Sequence, residues 1–194
     1  MTIVQVEISN DTGKFEVLVM NIREDLLHDF EFFLDQAKAC SGDEHETRFK
    51  HQRFLRAALL TLFAYADAVA NGWVKSVLEN HQMGFLYKRL QFDCLDKKID
   101  FLNDAYSETG IRPNVKDAKE VRNLFVHFTP GRDAEAFEKL TLTVVENAKN
   151  EVDRWMAEME SMLGLTRHPN SEQIVRAFDE IGTPEKGASS GSRK

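Results

Sequence analysis

The run from Thr47 to Asn80 constrains this fold more than any other stretch of the chain. It contains no proline, and only Gly72 weakens its helical pattern, so it reads as one long helix. Its centre, Ala57 to Val69, is almost continuously apolar. A helix that is apolar around most of its circumference has to be surrounded by other elements. The spacing therefore predicts a mainly α protein, an antiparallel bundle of about five helices built on this one. A chain of 194 residues is long enough to bury such a core without disulfides or metals. Asp67 interrupts the apolar centre. A carboxylate placed there needs a partner: a local bond or an opening to water, or else a basic group held at a polar site.

The remaining helices follow from apolar periodicity. The first carries Ile22, Leu26, Phe30, Phe33, Leu34 and Ala37 and stops near Ser41-Gly42-Asp43. A third runs from about Phe85 to Ala105, with Leu86, Leu90, Ile99 and Leu102 inward. Thr109-Gly110-Ile111-Arg112-Pro113 breaks it. Asn114 is placed to cap a short fourth helix, with Asp117 at its positive end. That helix is expected to end at Phe128, because Thr129 precedes Pro130. A fifth spans about Asp133 to Leu163, with Phe137, Leu140, Val144, Ala148, Val152, Trp155, Met159 and Met162 as its stripe. Ser171 to Ile181 is expected to add a short helix.

Ahead of the helices, Ile3 to Ile8 and Phe15 to Met20 flank the turn-rich Ser9-Asn10-Asp11-Thr12-Gly13. This predicts a β-hairpin. A lone hairpin is marginal in water, so Ile3, Val6, Ile8, Val17 and Val19 need cover from the body or from a second copy. The chain thus divides into an N-terminal hairpin at 1–21, a helical domain at 22–163 and a C-terminal extension at 164–194. From about residue 182 the extension is Gly, Ser, Pro and charge, a composition expected to be disordered.

The formal charge is −7, which argues against a general nucleic-acid coat protein but leaves room for a local basic site. Cys40 and Cys94 form neither a disulfide framework nor a zinc pattern. No signal peptide and no apolar run of about 18 residues is evident, so a cytoplasmic protein without a membrane span is expected. No phosphate-binding glycine loop is present, and no serine or cysteine sits in a nucleophile elbow. His45 and His51 are six residues apart, about 240° around a helix, and do not converge as a metal pair would. No metal and no cofactor are expected.

The fourth helix carries Arg122-Asn123-Leu124-Phe125-Val126-His127. Val121, Leu124, Phe125 and Phe128 form its buried stripe. Arg122, Asn123, Val126 and His127 share the opposite half. Asn123 and His127 are i, i+4 neighbours, so the amide can orient the imidazole, and His127 lies where the helix dipole favours its cation. Val126, apolar among polar groups, suggests that a partner covers this face.

This stretch resembles the R-x(4–6)-H motif of the HEPN superfamily in its Arg-Asn-x-x-x-His form. The order of elements is similar too: a long hydrophobic helix pair, the motif on a short late helix, then a long closing helix, over roughly residues 22–163. The spacing also occurs at Arg23 and His28, on the first helix, where the family does not carry its motif. The resemblance implies a homodimeric, metal-independent endoribonuclease of toxin, defence or RNA-processing type. Arg122, Asn123 and His127 of two protomers would then form one composite site, and an antitoxin or regulator would be a possible partner. It equally admits a non-catalytic module that binds RNA, a nucleotide or a regulatory partner. Toxins of this kind that are silenced by nucleotidyl transfer often carry a tyrosine two residues after the histidine; Thr129 stands there. Arg48, Lys50, Arg53 and Arg56 form a basic cluster at the start of the long helix, a candidate RNA track.

Overall fold

The computed structural model describes residues 3–9, 15–40, 42, 44–106, 108, 110–126, 133–164, 175–177 and 179, with side chains from Ile22 onward, those of 133 and 134 excepted. The chain is mainly helical. Among the described residues the helices run in the order α1 (Ile22–Ala39), α2 (His45–Asn80), α3 (Gly84–Leu90), α4 (Leu95–Tyr106), α5 (Lys116–Val126), α6 (Asp133–Lys139) and α7 (Leu142–Gly164). Ahead of them, Ile3–Ser9 (β1) and Phe15–Asn21 (β2) pair antiparallel, with Ile3 opposite Asn21 and Ser9 opposite Phe15. Of the turn expected at 9–13, Ser9 ends β1 and the rest lies outside the described residues, as do the cover expected for the strand side chains and the tail from 182. Of the short helix expected at 171–181, residues 175–177 and 179 are described, and Ala177 is fully buried.

The long helix is the axis of the bundle. It buries Leu55, Ala58, Leu59, Leu62, Tyr65, Ala66, Val69, Ala70, Val74, Val77 and Leu78, and it packs against α1, α3, α4, α5 and α7. The most extensive packing is with α1, where the His51 Nδ1 and the Ala37 carbonyl lie 2.8 Å apart across the connecting turn. On its other side Trp73 meets the fully buried Trp155 of α7 edge to face, ring centroids 5.3 Å apart. An 18-residue window of α2 has a mean hydropathy of 1.3, so by length and composition it would pass for a membrane span, although 44% of that window is buried inside the bundle.

Burial of the apolar centre is less complete than its composition predicts. Leu60 is 37% exposed, and Phe63 and Asp67 are half-buried. These residues follow one another at i+3 and i+4, so one strip of α2 is left open.

Three expected boundaries are corrected. The third helix is two, α3 and α4, parted at residues 91–94. Leu86, Tyr87 and Leu90 face the core, as do Leu95, Ile99, Leu102 and Ala105. On one continuous helix the two sets would point roughly 100° apart, and the break lets both face inward. The fifth helix is also two, α6 and α7. Leu140 is fully buried between them, its carbonyl accepts a bond from Gln52 Nε2 at 3.2 Å, and the Thr141 hydroxyl accepts from the Val144 N–H at 3.3 Å. A threonine cap thus restarts the chain as α7. Third, Asn114 does not cap α5. Its N–H donates to Glu151 of α7 at 2.9 Å, and the Val115 carbonyl accepts the first helical bond, from Lys119.

Between α4 and α5 the chain turns at Gly110, whose φ of 85° is a conformation that side chains resist.

Candidate functional site

The open strip of α2 faces α5. Arg56 lies over the Phe125 ring, 5.6 Å from its centroid, and Arg122 lies over the Phe63 ring at the same distance. As the number rises on α2 it falls on α5, so the two helices run antiparallel and their exposed strips border one groove. Leu60 stands between Arg56 and Phe63 on α2, and on α5 Lys119, Arg122 and Val126 succeed one another at i+3 and i+4. Val126 is 49% exposed. Phe125 continues the aromatic contact to Phe137 of α6, edge to face at 6.0 Å.

Arg122 is the best-held cation of this groove. It is half-buried, its Nη1 donates to Asn123 Oδ1 at 2.8 Å, and the Phe63 ring supports the guanidinium plane. Among the described residues no carboxylate pairs with it. The amide expected to orient an imidazole is thus engaged, through its oxygen, with the arginine. His127 lies outside the described residues, as do Phe128 and Thr129.

Beside Arg122 a pocket of about 110 Å³ opens between α2, α4, α5 and the segment ahead of α5. Phe63, Leu95, Ile99 and Val115 supply its apolar lining, and Arg112, Lys119, Arg122 and Asp96 its charged rim. Lys119 pairs with Asp96, and Arg112 with Asp100. All four side chains are about half exposed, and such pairs are worth only ~0–1 kcal/mol.

Asp67, one turn beyond Phe63, holds a basic group. The Lys98 ammonium, from α4, bonds both its oxygens, and Asn71 Nδ2 donates to Oδ2 at 3.1 Å. Asp67 does not line the Arg122 pocket; it anchors α4, whose next residue, Ile99, does.

The four residues of the basic cluster have separate surroundings. Arg48 is exposed, Lys50 is paired with Glu46 at 2.7 Å, Arg53 lies over the Phe49 ring at 5.7 Å, and Arg56 lies over Phe125 of α5. Of the two histidines at the start of α2, His51 is tied to the Ala37 carbonyl and His45 is exposed. No three His, Cys, Asp or Glu side chains converge as metal ligands among the described residues.

Phe63, Arg112, Lys98 and the pocket itself were not singled out by sequence. Phe63 is four residues before Asp67 and seven after Arg56, a spacing that places all three on one face. Lys98 sits within the stripe of Leu95, Ile99 and Leu102, which marks it for burial. Arg112 comes from a loop and carries no such signal. No protein-family model, curated protein or solved structure matches the chain.

Proposed function

We propose that the chain is a homodimeric, metal-independent endoribonuclease of HEPN type, with its N-terminal hairpin and its divided third and fifth helices as variations on that architecture. The observation that carries this reading is Arg122: a half-buried guanidinium, seated on Phe63 and bonded to Asn123, with no acid to neutralise it among the described residues. A cation held this way suits a phosphate. In the proposed reaction the 2′-hydroxyl attacks the adjacent phosphorus, the new O2′–P bond forms, and the P–O5′ bond breaks. One His127 removes the 2′ proton, and the His127 of a second protomer protonates the leaving 5′ oxygen. One histidine does not fill both roles at once, which is the reason for two copies around a two-fold axis. Arg122 stabilises the charge on the phosphorane. The exposed Val126 beside it offers apolar surface for the second protomer. A protein acting this way would work on cellular RNA in the cytoplasm, under an antitoxin or regulator.

Incubating the purified protein with end-labelled RNA in EDTA tests this. The expected products carry 2′,3′-cyclic phosphate ends, and DNA is left intact. RNA that binds in the groove without being cut would replace the reading with that of a binding module.

A further inference from the structure

We propose that the pocket beside Arg122 seats one nucleobase of single-stranded RNA, the base next to the phosphate that Arg122 holds; this rests on the reading of Arg122 as a phosphate-binding group. The lining of Phe63, Leu95, Ile99 and Val115 presents apolar surface and one aromatic ring to a planar guest. Bases splayed from a single strand are bound by such surfaces and by guanidinium planes. At about 110 Å³ the pocket takes one ring system, well below the ~300 Å³ and more of sites for larger ligands. The rim supplies what a nucleotide needs beyond its base. Arg122 addresses one phosphate. Lys119 and Arg112, held only by half-exposed acids, turn to the next phosphate at little cost. Asp96 is the one acid on the rim, and once its lysine is drawn away it is free to accept from a base amino group. Phe63 on α2 and Leu95 and Ile99 on α4 give the base a fixed wall, and α5 brings Lys119 and Arg122 to it.

Cys94 makes the pocket testable, because it lines the pocket and is exposed, whereas Cys40 is half-buried at the end of α1. Iodoacetamide alkylation of the full-length protein is followed at both cysteines by mass spectrometry. Saturating uridine or adenosine 5′-monophosphate should slow alkylation of Cys94 at least about five-fold and leave Cys40 unchanged. Ribose 5-phosphate and inorganic phosphate should slow it less than two-fold. Equal protection by ribose 5-phosphate would overturn the base subsite, as would no protection by either nucleotide. In Val115→Trp, whose indole fills the pocket, nucleotide protection should disappear; if this variant does not fold, the wild-type comparison decides alone. Protection by nucleotide without RNA cleavage would leave the subsite standing and remove the ribonuclease reading. Cleavage without protection would do the reverse.

Discussion

The Lys98 ammonium meets both carboxylate oxygens of Asp67, at 2.8 and 2.9 Å, and the two partners are buried unequally: the lysine side chain is 1% exposed and the aspartate 37%. The charge that depends on the pair is therefore the lysine's, since water still reaches the carboxylate. Asp67→Ala should strand the ammonium and cost ~3 kcal/mol or more of folding stability, the scale of breaking a buried pair. Lys98→Met, which fills the same volume without a charge, should cost much less. Urea denaturation of the two variants checks this, and equal losses would show that the inequality in burial has no energetic weight.

Arg122→Ala and His127→Ala should each slow RNA cleavage about 10²-fold or more, the scale of losing an electrostatic donor or a general acid–base group. The helix should survive both changes, because the buried side of α5 is carried by Ala118 and Val121. His28→Ala, on the first helix, should retain wild-type rates. Single-turnover assays on one labelled oligonucleotide give all three numbers, and loss of activity in His28→Ala would transfer attention to α1.

Val126→Glu should weaken self-association. The residue is 49% exposed and borders the groove, and a carboxylate buried against a second copy would lack a partner. Analytical ultracentrifugation across micromolar concentrations should show a dimer for the wild type and a larger monomer fraction for the variant. An unchanged dimer would place the interface elsewhere.

Glu151 joins α7 to the start of α5. A hydrogen bond from Arg154, and then the Asn114 N–H, hold its carboxyl below the usual value of 4.5. A group whose folded pKa is lowered stabilises the fold above its unfolded pKa, and that contribution is lost as the pH falls through the folded value. The stability gap between wild type and Glu151→Gln should therefore be full at neutral pH, begin to shrink below about pH 4.5, where the unfolded carboxyl takes up its proton, and close as the pH falls through the lower folded value. A gap that does not shrink at all as the pH falls below 4.5 would mean that the glutamine disturbs packing and not charge.

The helical fold was legible because periodicity needs only the order of apolar residues: Phe30, Leu34 and Ala37, or Ala148, Val152, Trp155 and Met159, are buried as their spacing requires. The breaks at 91–94 and at Leu140–Thr141 were not, because neither contains a glycine or proline. One is set by two stripes that must turn to a common core, the other by a threonine cap. At the site, the sequence placed Arg122 and Asn123 on the partly open side of α5, where both are half-buried. It did not place Phe63 beneath Arg122, nor Arg112 and Lys119 around the same pocket, because those meetings depend on which helices become neighbours. The surroundings of the basic cluster were illegible for a similar reason: Lys50 and Arg56 are close in sequence, yet one turns to Glu46 and the other to Phe125.

At 36 residues, α2 is about 54 Å long, and its length bears on the order in which the molecule assembles. The α1–α2 contact closes over a short connection and costs little loop entropy, whereas α5 meets α2 only after a long excursion through α3 and α4. Phe63 is thus set as soon as the first two helices pair, and Arg122 arrives on it late. Late elements with few neighbours open first in the native state, so amide hydrogens of α5 should exchange well before those of central α2, with nucleotide slowing α5 most. The half of the groove that carries the guanidinium is then the part of the molecule that a ligand stiffens, and the half that carries the ring is the anvil it closes on.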